Sequence, residues 1–284
     1  LPHKTFERAP ARTIYLIVAL VVLIAHLNIT QYWVLGECTW WWWSASLLLV
    51  INTSSFFFFY FHELMHGAVF KDRKVIQFLG LLSGMFCLCS PSIWRKWHNI
   101  HHAKTGEKQD PDRAPHEHYD NSKSIKFKIH DFFKKFRYTY IISFLVPFGV
   151  IIGHHLLIYI EFMVSRETVI EKKIKFTLEY IFILTIFMIP AFIFEIQVSI
   201  FGFYMPVILG QSICNLYILS NHNFSSLTKK NMPLLNSLSV YICKSIPITH
   251  MGFGRHVEHH IFPELAHSQL KAVSEELRTI YGDN

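Results

Sequence analysis

The sequence predicts an all-α integral membrane protein, a single domain over residues 1–284 with four transmembrane helices, a cytoplasmic cap that carries histidines, and interfacial helices. Hydrophobic residues make up 51% of the chain and the mean hydropathy is +0.28, which is high for a protein with a solvated surface. Several apolar runs reach the roughly 20 residues that a helix needs to cross the core of a bilayer. A soluble globular fold is therefore not expected.

The first two spans are predicted at residues 13–35 and 40–61. Because only residues 36–39 join them, they are expected to form an antiparallel hairpin. Four consecutive tryptophans, Trp40 to Trp43, open the second span, and indoles anchor helices at the headgroup level of a membrane. Stacking of these indoles on a substrate is the alternative interpretation.

Basic residues predict which side of the membrane each connection faces. Arg8 and Arg12 precede the first span, Lys71 and Arg73 follow the second, and Lys and Arg recur densely through residues 95–137. Because cytoplasmic loops concentrate Lys and Arg, we expect these segments and both termini in the cytoplasm. The net charge of +7 follows largely from this rule and from attraction to anionic membrane lipid, and no nucleic-acid partner is predicted.

Three histidine-rich stretches, here called the boxes, carry the predicted chemistry. Box one has an i,i+4 pair, and boxes two and three share the spacing H-x-x-H-H, which on a helix places the imidazoles on one side. One tetrahedral zinc ion takes about four ligands, so eight imidazoles are too many for it. They suit two metal ions side by side. Imidazole binds iron, zinc, copper and nickel, so the spacing does not identify the metal. The boxes are His62 and His66; His98, His101 and His102; and His256, His259 and His260.

The boxes also constrain the topology, because they must meet on one side of the membrane. The apolar segments 75–94 and 138–160 would each add a crossing and separate the boxes. We therefore predict that both segments are re-entrant or interfacial, the first with bends at Ser83-Gly84 and Ser90-Pro91. The third and fourth spans are then residues 176–194 and 197–220.

In order and spacing, the three boxes with hydrophobic spans between them resemble those of the membrane fatty acid desaturases and their hydroxylase and ketolase relatives. The resemblance runs from about Trp40 to about Leu270, nearly the whole chain, and the triple box is highly specific. It implies two Fe ions in a di-iron centre, which uses O2 and two electrons to attack unactivated C–H bonds of a fatty acyl lipid. It also implies a further ligand between the last span and box three, which we assign to His222.

Within that family the stretches from Trp97 to His102 and from His256 to Pro263 look most like the desaturase branch. We therefore predict an enzyme that introduces a double bond into a fatty acyl chain. The alternative is a fatty acid or sphingolipid hydroxylase or a carotenoid ketolase. Because only a short polar leader precedes the first span, electrons are expected from a separate donor, a ferredoxin or a b-type cytochrome.

Acidic residues near the boxes have structural and functional interpretations. Asp110 and Asp112 either form a turn or orient a ligand imidazole. Glu63 and Glu258 adjoin box histidines, but successive side chains on a helix point about 100° apart. We therefore expect both glutamates beside the site or on the surface rather than at the metal.

The rival class is an intramembrane zinc metalloprotease, because His62-Glu63-x-x-His66 also fits the motif H-E-x-x-H. In that motif two histidines bind the metal and the glutamate is the general base. This class leaves boxes two and three without a role, and no L-D-G-type aspartate follows in a later span. A transporter or non-catalytic metal-binding protein would be expected to carry its histidines inside the spans rather than at their ends.

Overall fold

The computed structural model describes residues 6–107, 109–111, 158–160, 162–165, 168–222, 225, 228–240 and 250–282. Within these residues all regular secondary structure is helical. The helices are α1 Thr13–Val34, α2 Trp40–Met65, α3 Arg73–Cys87, α4 Pro91–Lys104, α5 Ile170–Ile193, α6 Ile196–His222, α7 Pro233–Asn236, α8 His256–Ile261 and α9 Leu270–Tyr281.

Four of these helices, α1, α2, α5 and α6, are long and apolar enough to cross a membrane. The predicted all-helical class with four membrane-spanning helices is therefore confirmed. α2 continues past its predicted end to Met65, so His62 lies on the helix itself. α6 continues to His222 and contains a π-helical segment, Ser199–Tyr204.

The segment predicted to be re-entrant at residues 75–94 covers most of α3 and the first turn of α4, and these two helices meet at an angle of 86°. The chain turns next to Ser90-Pro91, as predicted, and the Ser90 side chain accepts a hydrogen bond from the amide of Ile93 at the start of α4. Ser83-Gly84 lie within the unbroken α3, so the bend predicted there is wrong. Of the second such segment, 138–160, only residues 158–160 fall within the described part of the chain.

The contacts of α4 support a re-entrant course for this helix pair. α3 begins soon after His66, at the end of α2. His98 on α4 returns to that same end, where its Nε2 lies 3.1 Å from Nε2 of His62. The pair therefore begins and comes back close to the end of α2.

Close packing fixes α2, which contacts α1, α3 and α6. Phe57 of α2 stacks on Phe86 of α3 with ring centroids 3.8 Å apart. Gly210 of α6 lies so near α2 that a Cβ atom there would be 2.7 Å from the carbonyl oxygen of Ile51. This packing holds the last turn of α2, and with it box one, in one position.

A buried carboxylate on α5 holds the turn between α3 and α4. Glu179 is 6% exposed and accepts hydrogen bonds from Ser90 Oγ (2.5 Å), Ser92 Oγ (2.6 Å) and Gln77 Nε2 (2.9 Å). It also accepts from the amide of Ser92 (3.1 Å) in the first turn of α4, where the helix dipole favours negative charge. Because α4 carries box two, this contact positions three of the box histidines.

We expect Glu179→Ala to destabilise the protein, because it leaves the hydroxyls of Ser90 and Ser92 without their acceptor. A buried polar group that loses its partner costs about 1–3 kcal/mol, so the thermal midpoint in detergent should fall clearly. Glu275→Ala is the control, since its side chain is 65% exposed and pairs with Lys271 across 3.7 Å. Equal midpoints for the two variants would contradict the role assigned to Glu179.

Candidate metal centre

The structure brings all nine predicted histidines to one end of the helices. His62 lies in the last turn of α2 and His66 caps it, while His222 is the last residue of α6. Box two lies on α4, and box three forms α8, a helix of six residues. The chain enters α8 through a turn in which Met251 and Gly252 have φ values of 55° and 79°.

Five imidazoles form what we call the first cluster, in which the ligand atoms lie within 4.8 Å of one another. Nε2 of His98 is 3.1 Å from Nε2 of both His62 and His102. Nε2 of His102 is in turn 3.1 Å from Nε2 of His259. The members of the first cluster are His62, His66, His98, His102 and His259.

The remaining four imidazoles form the second cluster. The ligand atoms of His101, His222 and His260 lie within 4.8 Å of one another. Nε2 of His256 is 2.7 Å from Nε2 of His222 and 3.0 Å from Nε2 of His260. The ring of His260 also stacks on that of His102, with centroids 4.3 Å apart, so the two clusters are adjacent.

Helix geometry explains how boxes two and three each serve both clusters. Residues four apart lie nearly above one another on a helix, whereas a residue three apart is displaced around the axis. His98 and His102 accordingly face the first cluster and His101 faces the second. Box three is arranged in reverse, with His256 and His260 in the second cluster and His259 in the first.

The donor set fits metal ions. A neutral imidazole has one ring nitrogen with a lone pair. When several ring nitrogens converge at about 3 Å, a proton can bridge only two of them, so other lone pairs remain without a partner. A cation between them satisfies several lone pairs at once, and imidazole is a common ligand of iron, zinc and copper. Two such groups of buried or half-buried nitrogens can each hold one ion.

Partners on the far side of the rings orient two ligands of the second cluster. Nδ1 of His101 is 2.8 Å from Oδ1 of Asp110, whose Oδ2 accepts from the amide of Gly106 (2.9 Å). Thr105 Oγ1 lies 3.1 Å from Nδ1 of His260. Of the two interpretations of Asp110, the structure therefore favours orientation of a ligand imidazole, while Asp112 lies outside the described residues.

We expect Asp110→Ala to weaken metal binding in the second cluster about 10- to 100-fold, the usual effect of removing such a partner. The first cluster should keep its affinity, because Asp110 bonds His101, which belongs to the second cluster. Titration of the metal-free protein with cobalt(II) measures the two affinities. A uniform loss in both clusters would contradict this assignment.

Both glutamates beside the boxes are buried rather than on the surface. Glu63 is 1% exposed and pairs with Arg12 and with His267, a histidine outside the boxes. Glu258 is 5% exposed and accepts hydrogen bonds from Ser239 (2.6 Å) and from Ser274 of α9. Sequence reasoning missed Arg12 and His267, because nothing in their local sequence indicates contacts to residues so distant along the chain.

Burial favours the neutral form of several cluster imidazoles. Desolvation, followed by the neighbouring imidazoles, holds the pKa values of His256, His259 and His260 well below the ordinary histidine range. Desolvation, followed by the charges of His267 and other neighbours, lowers the pKa of His66 to about 3. Neutral imidazoles are the protonation state that binds metal.

We expect metal retention to fade below about pH 6. Histidines of the unfolded chain take up protons as the pH falls below about 6.5, whereas the folded His66 stays neutral until much lower. The folded state therefore loses stability as the pH drops through this range, and the metal is lost with it. Iron content after dialysis at pH 7.5 and at pH 5 tests this, and equal retention would contradict it.

These features define a class of protein, a helical integral membrane protein with a histidine centre able to hold two metal ions. A family model for fatty acid desaturases matches residues 39–284. The chain therefore belongs to the fatty acid desaturase family, which confirms the resemblance carried by the boxes. Membership in this family implies an oxidoreductase that acts on lipid in a membrane, and the clustered histidines could hold metal ions. No curated protein matches the chain.

Proposed function

We propose that the chain is a membrane di-iron enzyme that uses O2 to introduce a double bond into a fatty acyl chain. The observation that carries the proposal is the convergence of nine imidazoles from four separate segments into two adjacent clusters. The first cluster would hold one iron ion and the second cluster the other. The proposed ligands are His62, His66, His98, His102 and His259 in the first cluster, and His101, His222, His256 and His260 in the second.

Iron and O2 at this site would supply the strong oxidant that removal of hydrogen from a methylene group needs and that no side chain provides. The chain's own residues hold the ligands and exclude water. Trp94 stacks on His98 at 4.1 Å, and Phe253 and Phe58 lie 5.1 and 6.3 Å from the ring of His62. This aromatic wall suits an apolar substrate.

Desaturation and hydroxylation share the removal of a first hydrogen, and they differ in whether a second hydrogen leaves or oxygen is added. The position of the substrate relative to the metal centre decides between them. The stretches from Trp97 to His102 and from His256 to Pro263 favour desaturation. A hydroxylase or ketolase of the same family is the second candidate.

The contacts of Glu63 argue against a zinc metalloprotease. A general base must reach a metal-bound water with a free carboxylate oxygen. Both oxygens of Glu63 instead accept hydrogen bonds from Arg12, at 2.7 and 2.9 Å, and one of them also accepts from His267. Glu63 therefore joins Arg12 and His267, and the two histidines of box one remain as candidate metal ligands.

The same contacts support an arrangement with both termini in the cytoplasm. Arg12 contacts box one, and Ser274 of α9 contacts Glu258 in box three. The start of α1 and the helix α9 therefore lie on the side of the metal centre, where the basic connections are also found. On that side a separate ferredoxin or b-type cytochrome would deliver electrons to the centre.

Expression in a yeast or bacterial host, followed by gas chromatography and mass spectrometry of membrane fatty acids, tests the proposal. A ferredoxin or b-type cytochrome system is co-expressed so that electrons are supplied. We expect a new unsaturated species, absent with His101→Ala and present with His250→Gln, whose histidine bonds Tyr217 outside both clusters. A hydroxylated or ketolated product would favour the second candidate, and an unchanged lipid profile from iron-loaded protein would contradict both.

A further inference from the structure

His267 lies outside the three boxes, yet it packs against the first cluster. Its side chain is 1% exposed, and its ring stacks on that of His259 with centroids 5.1 Å apart and planes 17° from parallel. It also stacks on Phe253 at 4.9 Å. The imidazole is therefore part of the wall that surrounds a proposed metal ligand.

Glu63 and Arg12 fix the position of this ring. Oε1 of Glu63 accepts hydrogen bonds from the amide (2.8 Å) and from Nδ1 (2.9 Å) of His267. Arg12 donates to both carboxylate oxygens of Glu63, and its Nη2 also donates to the carbonyl of Met251 at 2.7 Å. All three side chains, those of Arg12, Glu63 and His267, are buried. Their hydrogen bonds connect the start of α1 with box one and with the residues on either side of box three.

The hydrogen bond also fixes a proton on the ring of His267. An ionised carboxylate only accepts, so Nδ1 of His267 carries a proton and donates it to Glu63. Its Nε2 is buried and has no hydrogen-bond partner within the described part of the chain. His267 therefore contacts the cluster through the face of its ring.

The ligand rings of the first cluster have fewer hydrogen bonds to orient them than those of the second cluster. In the second cluster, Asp110 and Thr105 bond the outer nitrogens of two ligands, and Nδ1 of His256 has no partner among the described residues. In the first cluster, most ligands have an outer nitrogen that finds no partner among the residues that the structure describes. These nitrogens are Nδ1 of His62, His98, His102 and His259.

Ring packing can replace the missing hydrogen bonds. Trp94 stacks on His98 with planes 24° from parallel, and His267 stacks on His259 in the same way. We propose that His267 is a positioning residue for the first cluster, held by Glu63 and Arg12 so that its ring fixes the plane of His259. This inference rests on the proposed function, since it requires a metal ion in the first cluster.

Cobalt(II) titration of the purified, metal-free full chain in detergent tests the inference, with bound cobalt counted by mass spectrometry and visible absorption recorded. The wild type should bind about two equivalents. His267→Ala should weaken one site about 10- to 100-fold, change the absorption of that site and leave the other site intact. His250→Gln, a change at a buried histidine outside the clusters, should behave as the wild type.

Two further variants separate the ring from its hydrogen bond. His267→Phe keeps a flat ring against His259 and loses the bond to Glu63, whereas His267→Asn keeps a donor for Glu63 and loses the ring. We expect phenylalanine to restore most of the affinity of the weakened site and asparagine to restore little.

Three results would overturn the inference. The first is cobalt binding with wild-type affinity in all His267 variants. The second is recovery of the affinity of the weakened site by asparagine but not by phenylalanine. The third is an equal loss of affinity at both sites together with a lower thermal midpoint, which indicates a general structural role. If the wild type itself binds no cobalt, the proposed metal centre fails as well. If the wild type binds two equivalents and His267→Ala binds both with wild-type affinity, only the inference fails.

Discussion

Replacement of His102 by alanine is expected to lower the yield of oxidised lipid at least about 100-fold, more than the loss of a residue that only orients a ligand. His102 contributes to the first cluster, where its Nε2 lies 3.1 Å from the Nε2 atoms of both His98 and His259. Its ring also stacks on His260 of the second cluster. The variant should therefore lose the first metal ion and bind the second more weakly.

Product analysis and metal content are measured together for His102→Ala. His250→Gln is the control, because it changes a histidine that bonds Tyr217 and contacts no cluster ligand through a hydrogen bond. Full metal content and product formation in His102→Ala would remove the basis for the two-cluster description.

Loss of the Glu63 carboxylate is expected to have the largest effect on stability. Glu63 is 1% and Arg12 8% exposed, and Glu63→Ala leaves the guanidinium buried without its counter-ion. Removing one partner of such a pair costs about 3–5 kcal/mol. His267 loses the acceptor of two hydrogen bonds in the same variant.

Thermal or denaturant unfolding in detergent measures this loss. Glu264→Ala is a matched control, because Glu264 pairs with Arg8 at 3.2 Å but its side chain is 73% exposed. An exposed pair contributes about 0–1 kcal/mol, so this variant should unfold close to the wild type. Similar midpoints for Glu63→Ala and Glu264→Ala would contradict the role given to the buried pair.

Spacing on a helix is a local property, so the sequence predicted that the histidines of one box share a side of a helix, whereas His222 was assigned from the family resemblance. His98 and His102, which are four residues apart in box two, lie in the same cluster in the structure. Apolar length likewise predicted the four membrane-spanning helices. The residues Ser90-Pro91 were named as a place to bend, and the helix pair does bend next to them.

Contacts between distant segments could not be predicted in this way. The sequence predicts only a cytoplasmic charge at Arg12 and indicates no role for Glu179, yet both are buried polar partners of segments that carry boxes. Their roles depend on which helices become neighbours, and periodicity does not determine that. His267 lies outside the spacing of the boxes, and its partner Glu63 is 204 positions away, so no local pattern indicates its contacts.

Reconstitution with different metals tests the di-iron proposal most directly. Metal-free protein is loaded with increasing iron(II), or with zinc, and is then supplied with O2, an electron donor and an acyl lipid. We expect product formation to rise with iron and to saturate at about two ions per chain, with none formed by the zinc-loaded protein. Saturation at one iron per chain, or equal product with zinc, would contradict a di-iron centre built from the two histidine clusters.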